Sequence, residues 1–160
     1  MDTTMGVADW SQSVEALYRH DADHLWRAVR AFAGDPDIAS EAVAEAYAQA
    51  LRRGPVVRDA AAWIWRAAFR IAAGALKARR SDDGPPSDRG EHFDRYEDSD
   101  LHAALRRLPD AQRAAVILFY YADLPTPEIA TRLGSNGLAV RANLTRGRRR
   151  LHALLDDRHD

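Results

Sequence analysis

Cysteine is absent from the 160 residues of this chain, and so is any long apolar run. The missing thiols exclude a disulfide framework and a thiolate metal site. A membrane-spanning helix needs about 20 mainly apolar residues, and no such window occurs. The first ten residues, MDTTMGVADW, also lack the basic start and the apolar stretch of a secretory signal. We therefore expect a cytoplasmic protein with an ordinary packed core.

Net charge is nearly absent as well, since 23 basic side chains oppose 24 acidic ones. This balance conceals a strong segregation along the chain. Residues 1–51 and 81–100 are acidic, whereas residues 52–80 and 101–160 are basic. A local positive patch attracts nucleic acid whatever the average charge of the protein. The two basic segments are therefore the first candidates for a binding surface.

The segment from Asp123 to Leu151 predicts two short helices around a glycine turn. Thr126 suits the cap of the first helix, Pro127 suits its first turn, and Gly134 ends it. Ser135-Asn136-Gly137 then makes the tight turn that leads into the second helix. The apolar inner faces are Ile129, Ala130 and Leu133 on the first helix and Val140, Leu144, Gly147 and Leu151 on the second. This layout is typical of a helix-turn-helix that reads DNA.

The outer side of the second helix is densely basic, with no acidic residue between Asn136 and Leu151. A recognition helix enters the major groove by its early residues, whereas its late residues lie nearer to phosphates. We therefore predict base contacts for Arg141 and Asn143 and phosphate contacts for the late arginines, with Arg146 able to make either. The late arginines are Arg148, Arg149 and Arg150. The alternative is that the basic helix is only a solvated face.

Apolar periodicity predicts three helices in the first half of the chain, at about Ser13–Ala33, Ile38–Arg52 and Arg58–Arg80. The turn residues Gly34-Asp35-Pro36-Asp37 separate the first two. The predicted inner residues of the three helices are Leu17, Leu25, Val29 and Phe32, then Val43, Tyr47, Ala50 and Leu51, then Trp63, Ala67, Ile71 and Ala75.

Basic side chains form a stripe on the third of these helices, beside Trp63 and Trp65. Such a surface suits contact with phosphates and stacking on unpaired bases. The candidate DNA-binding residues of the stripe are Arg66, Arg70, Lys77 and Arg80. The alternatives are that both tryptophans belong to the core and that the basic side chains are merely solvated.

Two other pairs of polar residues have the spacing of one helical turn. His20 and His24 have the spacing of a two-histidine metal clamp, but no third ligand is arranged nearby, so we interpret them as surface or boundary residues. Glu41 and Glu45 lie on the outer side of the second helix without the pocket signature of acid–base chemistry. A solubilising role or a protein-docking role remains for this pair. No nucleophile–base pair stands out, so we predict no enzyme, no cofactor and no metal site.

Residues 81–100, SDDGPPSDRGEHFDRYEDSD, combine low hydrophobicity with like charge and predict a flexible acidic linker. Helical sequence resumes at Leu101, and a further helix follows Pro109. Its predicted inner residues are Ala114, Ile117, Leu118 and Tyr121. No segment has the pattern of a strand. We predict an all-α protein of two helical modules, 1–80 and 101–160, joined by this linker.

The C-terminal module carries a series of recognisable motifs. They are Leu108–Arg113 (LPDAQR), Phe119–Leu124 (FYYADL), Glu128–Ala130 (EIA) and Leu133-Gly134, followed by Val140, Leu144, Arg146, Arg148 and Leu151. Together these motifs resemble region four of bacterial RNA polymerase sigma factors, and most of all the small extracytoplasmic-function type.

The N-terminal module is similar to region two of the same family, more loosely. Gly34-Asp35-Pro36 followed by Val43, Glu45, Tyr47 and Ala50 resembles the helix that docks on polymerase. Trp63-Ile64 with Arg66, Ala68 and Lys77 resembles the helix that melts the promoter. The chain departs from the usual family residues at Glu41, Ala44, Arg70, Gly74 and Pro125 and in the turn at Ser135–Ala139.

The resemblance implies a transcription initiation factor that binds core RNA polymerase and promoter DNA. Region two would dock on the polymerase clamp through Glu41 and Glu45 and hold the −10 element as it melts. Region four would place its second helix in the major groove of the −35 element and touch the polymerase flap. No cofactor is implied, and an anti-sigma factor is left open as a further partner. The alternatives are a helix-turn-helix regulator that binds duplex DNA without polymerase, and a sigma-like module that no longer initiates transcription.

Overall fold

The computed structural model describes residues 6–83 and 100–157, and every regular element within these ranges is helical. The N-terminal module consists of α1 (Val7–Ala33), α2 (Pro36–Arg53) and α3 (Ala60–Asp83). The C-terminal module consists of α4 (Asp100–Arg106), α5 (Asp110–Val116), a π-helical turn (Ile117–Tyr121), α6 (Thr126–Leu133) and α7 (Gly137–Asp156). The predicted all-α class is confirmed. None of the helices in these ranges is long and apolar enough to cross a membrane.

The first helix begins earlier than the predicted start at Ser13, because a tertiary contact holds its first turns. Trp10 is buried, and its indole Nε1 donates a hydrogen bond to the backbone carbonyl of Ala50 on α2 at 2.9 Å. The sequence before Ser13 has no clear helical period, so the pattern alone did not reveal these turns. The predicted inner residues are confirmed, since Leu25, Val29 and Phe32 are buried and Leu17 is half-buried.

Asp35 fixes the start of α2 and ties it to the end of α3. Its carboxylate accepts hydrogen bonds from the backbone N–H of Asp37 at 2.7 Å and of Ile38 at 3.3 Å, and it pairs with Arg79 at 2.7 Å. Partial burial alone would raise the pKa of the Asp35 carboxyl, but the hydrogen bonds from Arg79 and the backbone outweigh it and lower the pKa below 3.8. The carboxylate is therefore charged at neutral pH and stabilises the helix as an N-cap.

Two predicted inner faces need correction in the N-terminal module. Val43, Tyr47 and Ala50 of α2 are buried as predicted, but Leu51 is 48% exposed because it lies beside the buried stripe of its helix. On α3 the buried residues are Ala62, Ile64, Trp65, Ala67, Ala68, Phe69 and Ala72, whereas the predicted Trp63, Ile71 and Ala75 are only half-buried. α3 packs against α1 and α2 on one side and against α6 on another, so apolar residues cover most of its circumference and periodicity does not single out one inner face.

A third correction concerns Tyr121, which is 54% exposed rather than inward. Ala114, Ile117 and Leu118 are buried as predicted. The helix then widens into the π-helical turn, in which the Ala122 N–H bonds to the Ile117 carbonyl at 3.1 Å. A π turn inserts one extra residue into the helical period, so the side chains toward its end, including Tyr121, are rotated from their expected positions.

The two modules pack on each other, and one continuous apolar core runs through both. α6 lies on α3, while α4 and the π-helical turn lie on α1. Residues 84–99, which form most of the predicted linker, lie outside the described ranges. The two ends of that linker are helical instead, because α3 continues through Asp83 and α4 begins at Asp100. The division into separate domains stays a prediction.

Within the C-terminal module, α5 and α7 approach each other closely at Gly147. A Cβ atom built on Gly147 would lie 2.8 Å from Cγ2 of Val116 and 3.5 Å from the carbonyl oxygen of Gln112. Contacts below 3.0 Å do not occur between packed carbon atoms, so only glycine permits this separation of the two helices.

We expect Gly147→Ala to lower the free energy of unfolding by about 1–3 kcal/mol, because the added methyl group overpacks the core against a stiff β-branched side chain. Gly74→Ala is the matched control, since a Cβ on this exposed glycine of α3 meets nothing within 4 Å. It should raise the free energy of unfolding by about 0.5–1 kcal/mol through helix propensity. Urea unfolding of the full chain measures both values. A Gly147→Ala variant as stable as the parent would contradict the close approach.

Candidate nucleic-acid interface

The turn of the helix-turn-helix is closed by hydrogen bonds at both of its ends. Gly134 ends α6 in the left-handed conformation, with φ 65°, which a residue with a side chain rarely adopts. The Ser135 N–H then bonds back to the Ala130 carbonyl at 2.8 Å. At the other end, the side chain of Asn136 accepts a hydrogen bond from the Ala139 N–H at 2.9 Å and caps α7. The predicted end of α6 at Gly134 is confirmed.

The start of α6 differs from its prediction. Thr126 is already the first helical residue, and Pro125 occupies the N-cap position without a capping side chain. The Pro125 carbonyl accepts the N–H groups of Glu128 at 3.0 Å and of Ile129 at 3.1 Å. The threonine cap was therefore wrong, because the extended backbone of Pro125 already leads the chain into the helix. Pro127 lies in the first turn, as predicted.

The inner faces of α6 and α7 are confirmed, and they determine which arginines face outward. Ile129, Ala130, Val140, Leu144 and Gly147 are buried, and Leu133 and Leu151 are half-buried. The exposed candidates on α7 are Arg141, Arg146, Arg149 and Arg150, while Asn143 and Arg148 are half-buried. No described residue forms an ion pair or hydrogen bond with the four exposed guanidinium groups, so these charges remain available to an external anion.

Arg148 differs from these four residues because aromatic side chains hold it. Its Nε donates a hydrogen bond to the hydroxyl of Tyr120. Its guanidinium carbon lies 5.2 Å from the centre of the Phe119 ring and 5.3 Å from that of the Tyr120 ring. Sequence periodicity placed Arg148 on the outer side, but it did not predict this contact with the end of the preceding helix.

The predicted basic stripe of α3 is exposed, but the structure divides it in two. Arg66 donates a hydrogen bond from Nη2 to the Thr131 carbonyl of α6 at 3.1 Å. Arg80 lies 3.8 Å from the Asp110 carboxylate at the start of α5. Both residues thus contact the C-terminal module. Arg70 and Lys77 of the same stripe are exposed and form no side-chain hydrogen bond or ion pair with any described residue.

Trp65 lies at the centre of the contact between the modules. It is fully buried, and its Nε1 donates a hydrogen bond to Oδ2 of Asp21 on α1 at 2.7 Å. The guanidinium of Arg132 on α6 covers its ring at 4.5 Å, and His24 packs edge-on against it at 5.2 Å. Trp65 is therefore a core residue rather than a base-stacking one. Trp63 is half-buried and packs against the same core.

The most buried charge among the residues that the structure describes also lies between the modules, on Arg113 of α5. This residue is 2% exposed, and its guanidinium covers the ring of Phe32 on α1 at 4.4 Å. It donates hydrogen bonds to the Leu108 carbonyl and to the Asp110 carboxylate, each at 3.0 Å. Burial lowers the pKa of Arg113, and Asp110 opposes that shift. Sequence reasoning missed Arg113 and Arg132 as packing residues, although a lone arginine within the apolar run of α5 was a usable signal.

The carboxylate pair on α2 is exposed, as predicted. Glu45 accepts hydrogen bonds from Nε2 of Gln49 at 3.1 Å and from Nη2 of Arg52 at 2.8 Å, and these bonds lower the pKa of its carboxyl. Glu41 projects from the same side one turn earlier. Within residues 6–83 and 100–157, no cluster of three or more acidic or histidine side chains could hold a metal ion.

The contact between Arg132 and Trp65 can be tested without DNA. We expect Arg132→Ala to lower the free energy of unfolding by about 0.5–2 kcal/mol, the range of a partly desolvated cation–π contact. It should also loosen α6 from α3 and so increase the radius of gyration in small-angle scattering. The control is Arg146→Ala, which removes an exposed arginine of the same module. If the two variants scatter and unfold alike, the contact does not hold the modules together.

Residues 98–151 match the family model described as "Sigma-70, region 4". The RNA polymerase sigma factor SigV of Bacillus subtilis (strain 168) is 30% identical over 142 residues, which cover 83% of this chain and 84% of that protein. The match thus spans both modules, not only the helix-turn-helix.

Two solved structures share the fold. One is the sigma factor RpoE in complex with the anti-sigma factor NepR from Bartonella quintana, with a TM-score of 0.70 and 19% identity over 92% of this chain and 97% of that one. The other is CnrH in complex with the cytosolic domain of CnrY, with a TM-score of 0.68 and 23% identity over 94% of this chain and 92% of that one. Because the curated relative covers most of both chains, the protein belongs to the RNA polymerase sigma factors, of the extracytoplasmic-function type, and directs RNA polymerase to promoters.

Proposed function

We propose that α7 reads the promoter duplex, that α2 docks on polymerase and that α3 binds the melting promoter. Sigma factors are not enzymes, so each of these roles is one of binding. The observation that carries the proposal is the set of four exposed arginines on α7, which have no partner among the described residues. Promoter-dependent transcription by core polymerase with the full chain tests the whole proposal. A chain that binds polymerase but yields no such transcripts would instead support a sigma-like module that no longer initiates.

Position along α7 separates two kinds of DNA contact. Arg141 and Asn143 lie within two turns of the Asn136 cap, at the end of the helix that enters a groove first. Arg149 lies about 12 Å further along the axis, since each helical residue advances the helix by 1.5 Å. A straight helix crossing the major groove leaves the base edges over that distance and approaches the phosphates. The early side chains therefore select sequence, and the late ones contribute charge.

We expect Arg141→Ala to cost about 1–3 kcal/mol on the preferred promoter and to relax sequence preference. Arg149→Ala and Arg150→Ala should weaken binding evenly on all sequences, and each should lower the salt slope by about one unit. The measurement is binding of the polymerase holoenzyme to matched and scrambled duplexes across a salt series. Arg27→Ala, an exposed arginine of α1, controls for the loss of one positive charge.

Two outcomes would contradict this assignment. If early and late substitutions behave alike, α7 does not cross the groove in the proposed direction. If none of them changes binding while Arg27→Ala also has no effect, the basic helix is only a solvated face.

The exposed carboxylates of α2 support docking on a basic surface of polymerase. Glu41 projects freely into solvent, and Glu45 is held in place by Gln49 and Arg52. Charged groups at the rim of an interface act mainly on the association rate. A partner with complementary positive charge would therefore be steered toward this side of α2.

We expect the double variant Glu41→Lys and Glu45→Lys to slow association with core polymerase, because it places like charges at that surface, while helical content stays unchanged. The matched control reverses Glu15 and Asp23, two exposed acids of α1, and changes the net charge by the same amount. Association rates by surface plasmon resonance distinguish the two. Equal rates for the two double variants would place the docking surface elsewhere.

The closed packing of the modules bears on how α3 reaches DNA. Arg66 and Arg80 are both engaged by the C-terminal module. We infer that these two residues contact DNA only after α6 and α5 move away from α3. Both similar structures, RpoE and CnrH, were solved with proteins bound to them, an anti-sigma factor in the case of RpoE. This likeness supports an anti-sigma factor as a further partner of the present chain.

A further inference from the structure

The terminal nitrogens of Arg148 are free although the rest of its guanidinium group is held. Nε bonds to the Tyr120 hydroxyl, and two aromatic rings flank the planar group. Nη1 and Nη2 form no hydrogen bond or ion pair with any described residue. A phenol oxygen accepts a hydrogen bond without neutralising the charge, so the arginine keeps its full positive charge and its terminal donors.

Two features of the fold create this arrangement. The π-helical turn rotates Tyr120 from the position that a regular helix would give it, and the chain just after the turn is closed by a hydrogen bond from the Leu124 N–H to the Leu118 carbonyl at 3.0 Å. The close approach at Gly147 then brings α7 against α5. The next residue, Arg148, therefore reaches the π-helical turn that follows α5. Single-turn π-helices occur frequently at functional sites.

Arg148 also lies on the same side of α7 as the base-reading candidate Arg141. Seven residues separate them, which corresponds to nearly two full turns and about 10 Å along the axis. A side chain at that distance from the entering end of a recognition helix lies near the backbone flanking the bases that are read. On the proposed role of α7, this position places Arg148 at the level of a backbone phosphate.

We propose that Tyr120 is a positioning residue for DNA binding, which holds Arg148 with its terminal nitrogens presented to a backbone phosphate. The inference rests on the proposed role of α7. A flexible arginine loses its rotamer freedom when it binds, whereas Arg148 has already lost much of it in the free protein. The planar group can offer a phosphate two parallel N–H bonds from its terminal nitrogens.

The test uses the full chain bound to core polymerase, with matched and scrambled duplexes across a salt series. The variants are Tyr120→Phe, Arg148→Ala and their combination, and Tyr121→Phe is the matched control at the neighbouring exposed tyrosine. Arg148→Ala should weaken binding to both duplexes and lower the salt slope by about one unit. Tyr120→Phe should weaken both by about threefold to tenfold, the effect of one lost hydrogen bond. The combined variant should bind no more weakly than Arg148→Ala alone, because Tyr120 acts through Arg148.

Three outcomes would overturn the inference. If Arg149→Ala lowers the salt slope but Arg148→Ala does not, Arg148 only packs the module together. The proposed role of α7 is unaffected by that outcome. If Tyr120→Phe lowers the affinity for DNA further in the Arg148→Ala background, Tyr120 acts independently of Arg148. If Tyr121→Phe weakens DNA binding as much as Tyr120→Phe does, no specific pair of Tyr120 and Arg148 is involved. If Arg141→Ala and Arg149→Ala are also without effect, it is the proposed role of α7 that fails. Thermal unfolding of each variant confirms that binding is measured on folded protein.

Discussion

The burial of α3 between two sets of helices is the constraint on which the rest of this structure depends. Trp65 belongs at once to the N-terminal core, through its hydrogen bond to Asp21, and to the contact with α6, through Arg132. A helix packed on several sides needs apolar residues around most of its circumference, and the basic stripe is confined to the strip that remains. The element proposed to meet melting DNA is therefore also the element on which the C-terminal module rests.

The modules are joined by a shared apolar core and by a set of individually weak polar contacts. Apart from the shared core, the contacts consist of arginines over aromatic rings, one hydrogen bond from Arg66 and one long ion pair at Arg80. Exposed ion pairs contribute about 0–1 kcal/mol, and a single hydrogen bond contributes about 1 kcal/mol. These polar contacts add to the shared apolar core, so a partner that separates the modules must offset the exposure of that core as well.

The sequence predicted most where the chain carries local signals, and least where tertiary contacts decide. Gly134 and the apolar residues that recur at helical spacing in α6 and α7 identified the helix-turn-helix. A glycine that can adopt the left-handed conformation and a helical period are both properties of the segment itself. The inward face of α3 could not be predicted in the same way, because three helices, α1, α2 and α6, pack against it. Periodicity predicts that Leu51 and Tyr121 point inward. No local rule reveals that the core ends beside Leu51 and that Tyr121 lies at the end of a π turn. The residue contacts with DNA and with polymerase remain predictions.

Charge counting along the sequence overestimates the positive charge that is available to DNA. Arg113 and Arg132 belong to a basic segment, yet their guanidinium groups cover the rings of Phe32 and Trp65 and contribute to packing. Arg141 and Arg149, which have no partner among the described residues, remain for phosphates and bases. Arg148 lies between these two classes, because its Nε contributes to the fold while its terminal nitrogens stay free. An almost neutral protein can thus present a strongly positive helix, since the arginines that stabilise its fold and those that face outward occupy different sides of the same module.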